Sequence, residues 1–318
     1  MARRAMSEVG SLSKRIHYES IPGFFIQSDR TAAPQAHPPA FGLKLSTSPT
    51  YWNDFKTRIE RLQQSAPKGV RYVVCWLARH GQGWHNVGVD RHGLTEWINH
   101  FSKLNTDGEI TWGPDAKLTP LGETQAREVN ALWKKELSRP SDPVPIPTKL
   151  FSSPLARALA TLDLSFKDVI PNDTNAEDTA GSPLVVEVLR FHFNNSRSAY
   201  KRTLTQNLRE ALAPFTSDHR STKSDIQKLY PAFRFEESFT ENDELWSESV
   251  SETDDEFSSR MKATLDHIFK DLLDETDTFI SITAHSGVAA TILQLVGHRV
   301  YPLPGGGVVP IVIKATFQ

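Results

Sequence analysis

The chain has 318 residues and a formal net charge of -2 at pH 7. This length allows one large domain or two smaller ones. The near-neutral charge gives no bulk attraction to nucleic acid or to a membrane surface, and we expect neither partner. The single cysteine excludes an intramolecular disulfide and any metal site built from several cysteines. No stretch approaches about 20 apolar residues, so we expect a cytoplasmic or nucleocytoplasmic protein.

Predicted elements alternate between strand and helix after an irregular, proline-rich arm that ends near residue 50. Strands are predicted, from their β-branched and aromatic residues, over 71–78, 149–153, 183–189, 278–284 and 308–317. Helices are predicted over 54–62, from Thr119-Pro120 onward, from Ser153-Pro154 to Leu164, and over 253–273 and 287–296. Residues 80–118 are predicted to be a long loop, and 190–250 lack the alternation. The order predicts an α/β fold with a mostly parallel central sheet and helices on both faces.

Polar side chains follow three of the predicted strands, where ligands of open α/β sheets bind. Arg79 and His80 follow the first strand, Arg157 lies shortly after the second, and His285 follows the fourth. If these strands are neighbours, two guanidinium and two imidazole groups meet and repel one another unless an anion lies between them. Phosphate fits, because Arg offers paired donors and Gly81 allows the backbone to approach closely.

Each of these features is weak when it is taken alone. Arg-His-Gly occurs by chance, Arg157 alone fits a surface helix, and a lone histidine such as His285 is more often structural than catalytic. Together, each at the end of its own strand, they favour a phosphate site. A metal site formed by His80, His85 and His92 is the competing interpretation. No carboxylate spacing supports it and the adjacent arginines disfavour a cation, so we predict no metal and no other cofactor.

Four motifs resemble the histidine phosphatase superfamily, also called phosphoglycerate mutase-like, in the order in which that family carries them. They are LARHGQGWHN (77–86), LTPLGETQA (118–126), SSPLARALAT (152–161) and TAHSGV (283–288). The stretches YESIPGFFIQSD (18–29), LREALAPFTSD (208–218) and FTENDELW (239–246) resemble its fungal-type phosphomutase-like branch. The resemblance implies a three-layer α/β/α sandwich. Residues 1–50 would be an arm packed on the core, and 51–318 a single domain with a cap insertion at about 190–250 over the strand ends.

The resemblance also implies an activity and a set of roles. We expect a metal-independent phosphohydrolase that removes a phosphoryl group from a small anionic phosphorylated metabolite through a phosphohistidine. His80 would be the nucleophile, and Arg79, Arg157 and His285 would bind the phosphoryl oxygens. The residues expected to contact substrate are Gly81, Gln82, His85, Asn86 and Arg220.

The resemblance offers two candidates for the proton donor. Glu210 follows Leu208-Arg209, as in the leucine-arginine-glutamate motif of the branch, and would protonate the leaving oxygen and then activate water. Glu187 is the competitor, but Phe191 stands where the glutamate of its own motif would be, so we prefer Glu210.

Departures from the branch leave the substrate open. Ala213, Phe215 and Ser217 replace its glycine, histidine and cysteine in the cap, and Ser286 replaces the glycine or aspartate that often follows the second histidine. Basic residues of the cap form either a solvated face or a surface that steers an anionic substrate; they are Arg197, Lys201, Arg202, Arg209, His219, Arg220 and Lys223. Three alternatives remain: a phosphomutase, a specialised-metabolism enzyme acting on an unusual phosphate or diphosphate ester, and a non-catalytic phosphate-binding module.

Overall fold

The computed structural model describes residues 15–44, 47–170 and 201–318. Its seven described strands form one sheet, and they are β1 (Ile16–Ser20), β2 (Val70–Arg79), β3 (Lys149–Ser152), β4 (Lys201–Leu204), β5 (Arg234–Phe235), β6 (Phe279–Ala284) and β7 (Val308–Phe317). Their order across the sheet is β1-β7-β2-β6-β3-β4-β5. Strand β7 pairs antiparallel with β1 and β2. The remaining neighbours, β2 with β6, β6 with β3, β3 with β4 and β4 with β5, all pair in parallel. The predicted mostly parallel sheet is confirmed.

Helices cover both faces of this sheet. They are α1 (Tyr51–Gln64), α2 (Trp84–His92), α3 (Leu94–Asn99), α4 (Pro120–Leu137), α5 (Ala156–Ser165), α6 (Lys223–Leu229), α7 (Asp254–His267) and α8 (Ser286–Leu295). Side chains of β2 alternate between two apolar cores: Cys75 packs with α7 and α8, and Trp76 with α1, α4 and α5. A strand buried on both faces is apolar along its length, which is why its sequence was easy to identify. The three-layer α/β/α architecture is confirmed.

Local signals set several helix boundaries. Helix α4 begins as predicted, because the Thr119 side chain accepts a hydrogen bond from the Gly122 backbone and Pro120 occupies the first turn. Helix α5 begins two residues later than the predicted Ser153-Pro154 start. The Ser153 hydroxyl oxygen lies 2.8 Å from a His285 ring nitrogen, and Ser153 is not the N-cap of α5.

The predicted long loop over 80–118 is wrong. It contains helices α2 and α3, and its glycines are used for close packing as well as for turns. Gly88 is buried in α2, and a Cβ there would lie 2.4 Å from the Trp97 ring. The glycine at position 88 therefore lets α2 and α3 approach each other closely. Glycine content alone does not distinguish this kind of helix packing from a loop.

Parts of the arm and of residues 190–250 also belong to the sheet. The arm supplies the edge strand β1, and β4 and β5 extend the opposite edge, so the predicted absence of alternation in 190–250 is wrong where the structure describes it. The predicted strand over 183–189 lies outside the described residues. None of the described helices is both long and apolar enough to cross a membrane.

Candidate active site

The carboxyl ends of β2, β6 and β3 lie level with one another in the sheet. Arg79 pairs in register with Ala284, and Ser152 pairs with Thr283. His80 and His285 each follow directly after these paired ends. The register therefore brings together the polar segments that the sequence places after three separate strands.

His80 is buried and its imidazole has a defined tautomer. Its Nδ1 lies 2.6 Å from the carbonyl oxygen of Gly81. A carbonyl only accepts, so Nδ1 carries the proton and Nε2 keeps its lone pair. Burial, and then the charges of Arg157 and Arg79, lower the pKa of His80 well below its usual range, against the effect of the Gly81 carbonyl. His80 is therefore neutral at pH 7 and its Nε2 is available as a nucleophile.

His285 faces His80 across the site. The two ring centroids are 5.1 Å apart. His285 is fully buried, and its Nε2 lies 2.8 Å from the Ser153 hydroxyl oxygen. Its Nδ1 has no hydrogen-bond partner among the described residues. Burial and the Arg157 charge lower the pKa of His285 well below its usual range.

Two arginines approach the same site from β2 and α5. Arg79 donates from Nη1 to the carbonyl of Leu303 at 3.0 Å. Arg157 is 1% exposed and donates to the Ser217 carbonyl at 2.8 Å and to the Asp218 carboxylate at 2.6 Å. The Nε atom of each arginine is buried without a partner in the described part of the chain.

The preferred proton donor, Glu210, lies at the amino end of α8. It accepts hydrogen bonds from the backbone nitrogens of Gly287 at 3.1 Å and Ala211 at 3.2 Å. Burial, and then the charge of Asp218, raise the pKa of Glu210 above its usual 4.5, although these hydrogen bonds and Arg157 oppose the rise. The competitor Glu187 lies outside the described residues.

The buried, unpartnered nitrogen atoms at this site indicate what it binds. Within the described residues, Arg79 Nε, Arg157 Nε, His85 Nδ1 and His285 Nδ1 lack hydrogen-bond partners. The His85 ring centroid lies 5.4 Å from that of His80. Buried polar groups are almost always hydrogen-bonded, and leaving one unpaired costs about 1–3 kcal/mol. Two cationic groups and two imidazoles with free nitrogens favour an anionic ligand with several acceptor oxygens.

Three predicted substrate-contact residues shape the loop after β2. Gly81 is required sterically, because a Cβ there would lie 2.2 Å from the Gly122 carbonyl oxygen. The side-chain oxygen of Gln82 accepts from the Thr119 hydroxyl at 2.8 Å. The side-chain oxygen of Asn86 accepts from the Gly83 backbone at 2.9 Å, which fixes the first turn of α2. These contacts organise the pocket wall.

Arg220, the fifth predicted contact residue, is buried; its Nε has no partner among the described residues, but both of its terminal nitrogens are occupied. Its terminal nitrogens donate to the carbonyls of Ser221, Thr240, Glu241 and Asn242. These contacts favour a structural role over the predicted role in substrate binding. Arg209, another basic residue of the predicted cap, is likewise buried and paired with Asp243.

The alternative metal site gains no support from the geometry. His92 stacks on Phe101 with centroids 3.6 Å apart, and its Nε2 lies 2.9 Å from Asp107. Among the described residues, no group of three or more His, Cys, Asp or Glu side chains is arranged to hold a metal ion.

Sequence reasoning missed two residues that contact this site. Ser153 lies against His285, and Asp218 pairs with Arg157. Both stand inside the motifs that carry the family resemblance, SSPLARALAT and LREALAPFTSD. Their place inside these motifs indicates that both residues lie near the site. The local sequence pattern does not reveal which side chain each of them contacts.

Comparison with known proteins identifies the family. The model of the histidine phosphatase superfamily (branch 1) matches residues 89–170. A protein named "Probable phosphoglycerate mutase" from Arthroderma benhamiae is 33% identical over 313 residues, which cover 94% of this chain and 84% of that protein. The chain belongs to the histidine phosphatase superfamily. The predicted resemblance is confirmed, and the superfamily places the chain with enzymes that act on phosphate groups.

One further relative agrees with this family. "Phosphomutase-like protein 3" of Candida albicans is 30% identical over 298 residues, covering 93% of this chain and 79% of that protein. A crystal structure of phosphoglycerate mutase from Bacillus anthracis aligns with a TM-score of 0.43 at 15% identity, covering 77% of this chain and 89% of that one.

Proposed function

We propose that this histidine phosphatase is a metal-independent phosphohydrolase acting on a small anionic phosphate ester through a phosphohistidine at His80. The observation that carries the proposal is the cluster of Arg79, Arg157, His85 and His285 around a neutral His80, in which each of the four holds a buried nitrogen without a partner among the described residues. A phosphoryl group offers three charged oxygens to such donors.

The first step transfers the phosphoryl group to the enzyme. The lone pair on His80 Nε2 attacks phosphorus, and the P–N bond forms as the P–O bond to the leaving group breaks. Arg79 and Arg157 balance the charge on the equatorial oxygens, so positioning and electrostatics supply most of the catalysis. His285 Nδ1 donates to the same oxygens if the Ser153 hydroxyl donates to its Nε2.

Glu210 acts as the general acid in the first step and as the general base in the second. Its raised pKa favours the protonated acid, which delivers its proton to the leaving oxygen in the first step. In the second step the Glu210 carboxylate takes a proton from water while the water oxygen attacks phosphorus and the P–N bond breaks. The products are inorganic phosphate and neutral His80.

Phosphomutase activity is the second candidate, and the names of the relatives favour it. One is named a phosphoglycerate mutase and another a phosphomutase-like protein. A mutase would use the same first step but return the phosphoryl group to a second hydroxyl of the substrate instead of to water.

One experiment separates the two. The purified chain is incubated with 3-phosphoglycerate and with a panel of other phosphate esters, and free phosphate and isomerised ester are measured together. A hydrolase releases phosphate stoichiometrically with loss of ester. Isomer formation without phosphate release would refute hydrolysis and establish the mutase. His80→Ala is the matched control and should form neither product.

A further inference from the structure

The 3-10 turn Thr216–Asp218, called here the cap turn, holds both terminal amino groups of Arg157. Nη1 donates to the Ser217 carbonyl at 2.8 Å, and Nη2 donates to the Asp218 carboxylate at 2.6 Å. The Arg157 and Asp218 side chains are only 2% and 10% exposed. Arginine has five N–H donors, so these contacts leave three for a ligand, including the unpartnered Nε. The cap turn therefore fixes the plane of the guanidinium without using all its donors.

Hydrogen bonds on two sides hold the cap turn in place. The carbonyls of Thr216 and Ser217 accept from the backbone nitrogens of Asp115 and Ala116, both at 3.1 Å. On the other side, Arg209 donates to the Asp218 backbone carbonyl and to the buried carboxylate of Asp243. Because the turn is held from both sides, Asp218 has little freedom to follow a displaced Arg157.

We propose that Asp218 is a positioning residue that aligns the Arg157 guanidinium on the transferred phosphoryl group. The inference rests on the proposed function and adds a residue that acts through Arg157. Asp218 does not itself bind phosphate, since two anions would repel.

Loss of the Asp218 charge also has a pH signature. The groups that act on the Glu210 carboxyl are Asp218 of the cap turn, Arg157 of α5, Arg79 of β2 and the backbone N–H groups of Gly287 and Ala211, while Arg260 of α7, paired with Glu252, donates to the Glu210 backbone carbonyl. Loss of the Asp218 charge leaves the arginines unopposed and lowers the pKa of Glu210. The protonated acid is then lost at lower pH, so the alkaline limb of kcat/KM moves to lower pH.

The test uses the full chain with Asp218→Asn, Asp218→Glu and the control Glu244→Gln. Glu244 is an exposed acidic residue of the same region, and the described polar partners of Arg157 are Ser217 and Asp218. Inorganic phosphate binding is measured by calorimetry, and kcat/KM for an alkyl phosphate is measured against pH. Asp218→Asn should lose about 10²-fold in kcat/KM, the loss that follows a displacement of about 1 Å at a reacting centre. It should also weaken phosphate binding and shift the alkaline limb.

The other two variants separate alignment from charge. Asp218→Glu keeps the charge but misplaces it, so it should weaken phosphate binding and retain the wild-type alkaline limb. Glu244→Gln should match the wild type in both. The inference is overturned if Asp218→Asn binds phosphate with wild-type affinity and keeps the wild-type alkaline limb. This holds whether or not the variant loses activity. If the wild type releases no phosphate from any ester, the proposed function fails, and phosphate titration still tests the alignment of Arg157.

Discussion

Gly287→Ala should disable the proton donor without disturbing the fold. The Gly287 nitrogen donates to Glu210 at 3.1 Å, and a Cβ at position 287 would lie 2.1 Å from Glu210 Oε1. The carboxylate must retreat by about 1.3 Å to restore ordinary contact at 3.4 Å. It is the end of a flexible side chain, and Gly287 does not have a positive φ, so helix α8 accepts alanine. A shift of about 1 Å costs up to about 10²-fold in rate.

The assay compares two leaving groups. An alkyl phosphate needs a proton on its leaving oxygen, whereas p-nitrophenyl phosphate leaves without one. Gly287→Ala should therefore lower kcat/KM for the alkyl ester by about 10²-fold and for p-nitrophenyl phosphate far less. The double variant Gly287→Ala/Glu210→Gln should lose no more kcat/KM than Glu210→Gln alone, since both changes act on the carboxyl of Glu210. Additive losses, or equal slowing of both esters, would refute the reasoning.

Three further predictions test other parts of the site. Glu210→Gln should slow alkyl phosphate hydrolysis by about 10²- to 10⁴-fold and abolish the fall of kcat/KM as pH rises through the raised pKa of Glu210; a retained limb would shift the role to Glu187. Activity should survive exhaustive chelation by EDTA, and a loss restored by a divalent ion would revive the metal interpretation. Arg220→Ala should destabilise the fold by about 1–3 kcal/mol in thermal unfolding, because it removes the charged hydrogen bonds that the buried Arg220 donates to the loop carbonyls of Thr240 and Asn242. A loss of phosphate affinity without destabilisation would restore its predicted binding role.

The sequence predicts the strand ends well for a physical reason. The centre of strand β2, Val73–Leu77, is buried on both faces, so it reads as an apolar run that stops abruptly at Arg79 and His80. Strand β6 stops in the same way before His285. Because ligands bind at the carboxyl ends of parallel strands, the abrupt change from apolar to polar residues predicts both the sheet and the site.

Contacts between distant segments could not be predicted in this way. Ser153 and His285 are 132 positions apart, and Arg157 and Asp218 are 61 apart. Periodicity reports which side chains are buried and says nothing about their partners. For the same reason the sequence left Arg220 as a binding candidate, although its guanidinium holds loop carbonyls.

Trapping the phosphorylated enzyme tests the central claim most directly. The wild type is mixed with a labelled phosphate ester and quenched in alkali within milliseconds, because phosphohistidine survives base and is lost in acid. Peptide mass spectrometry then locates the phosphoryl group. We predict a single phosphoryl group on His80 that is absent from His80→Asn, with the label passing to inorganic phosphate on a chase. Turnover without any phosphoprotein, or a phosphoryl group on His85 or His285 in place of His80, would contradict the account.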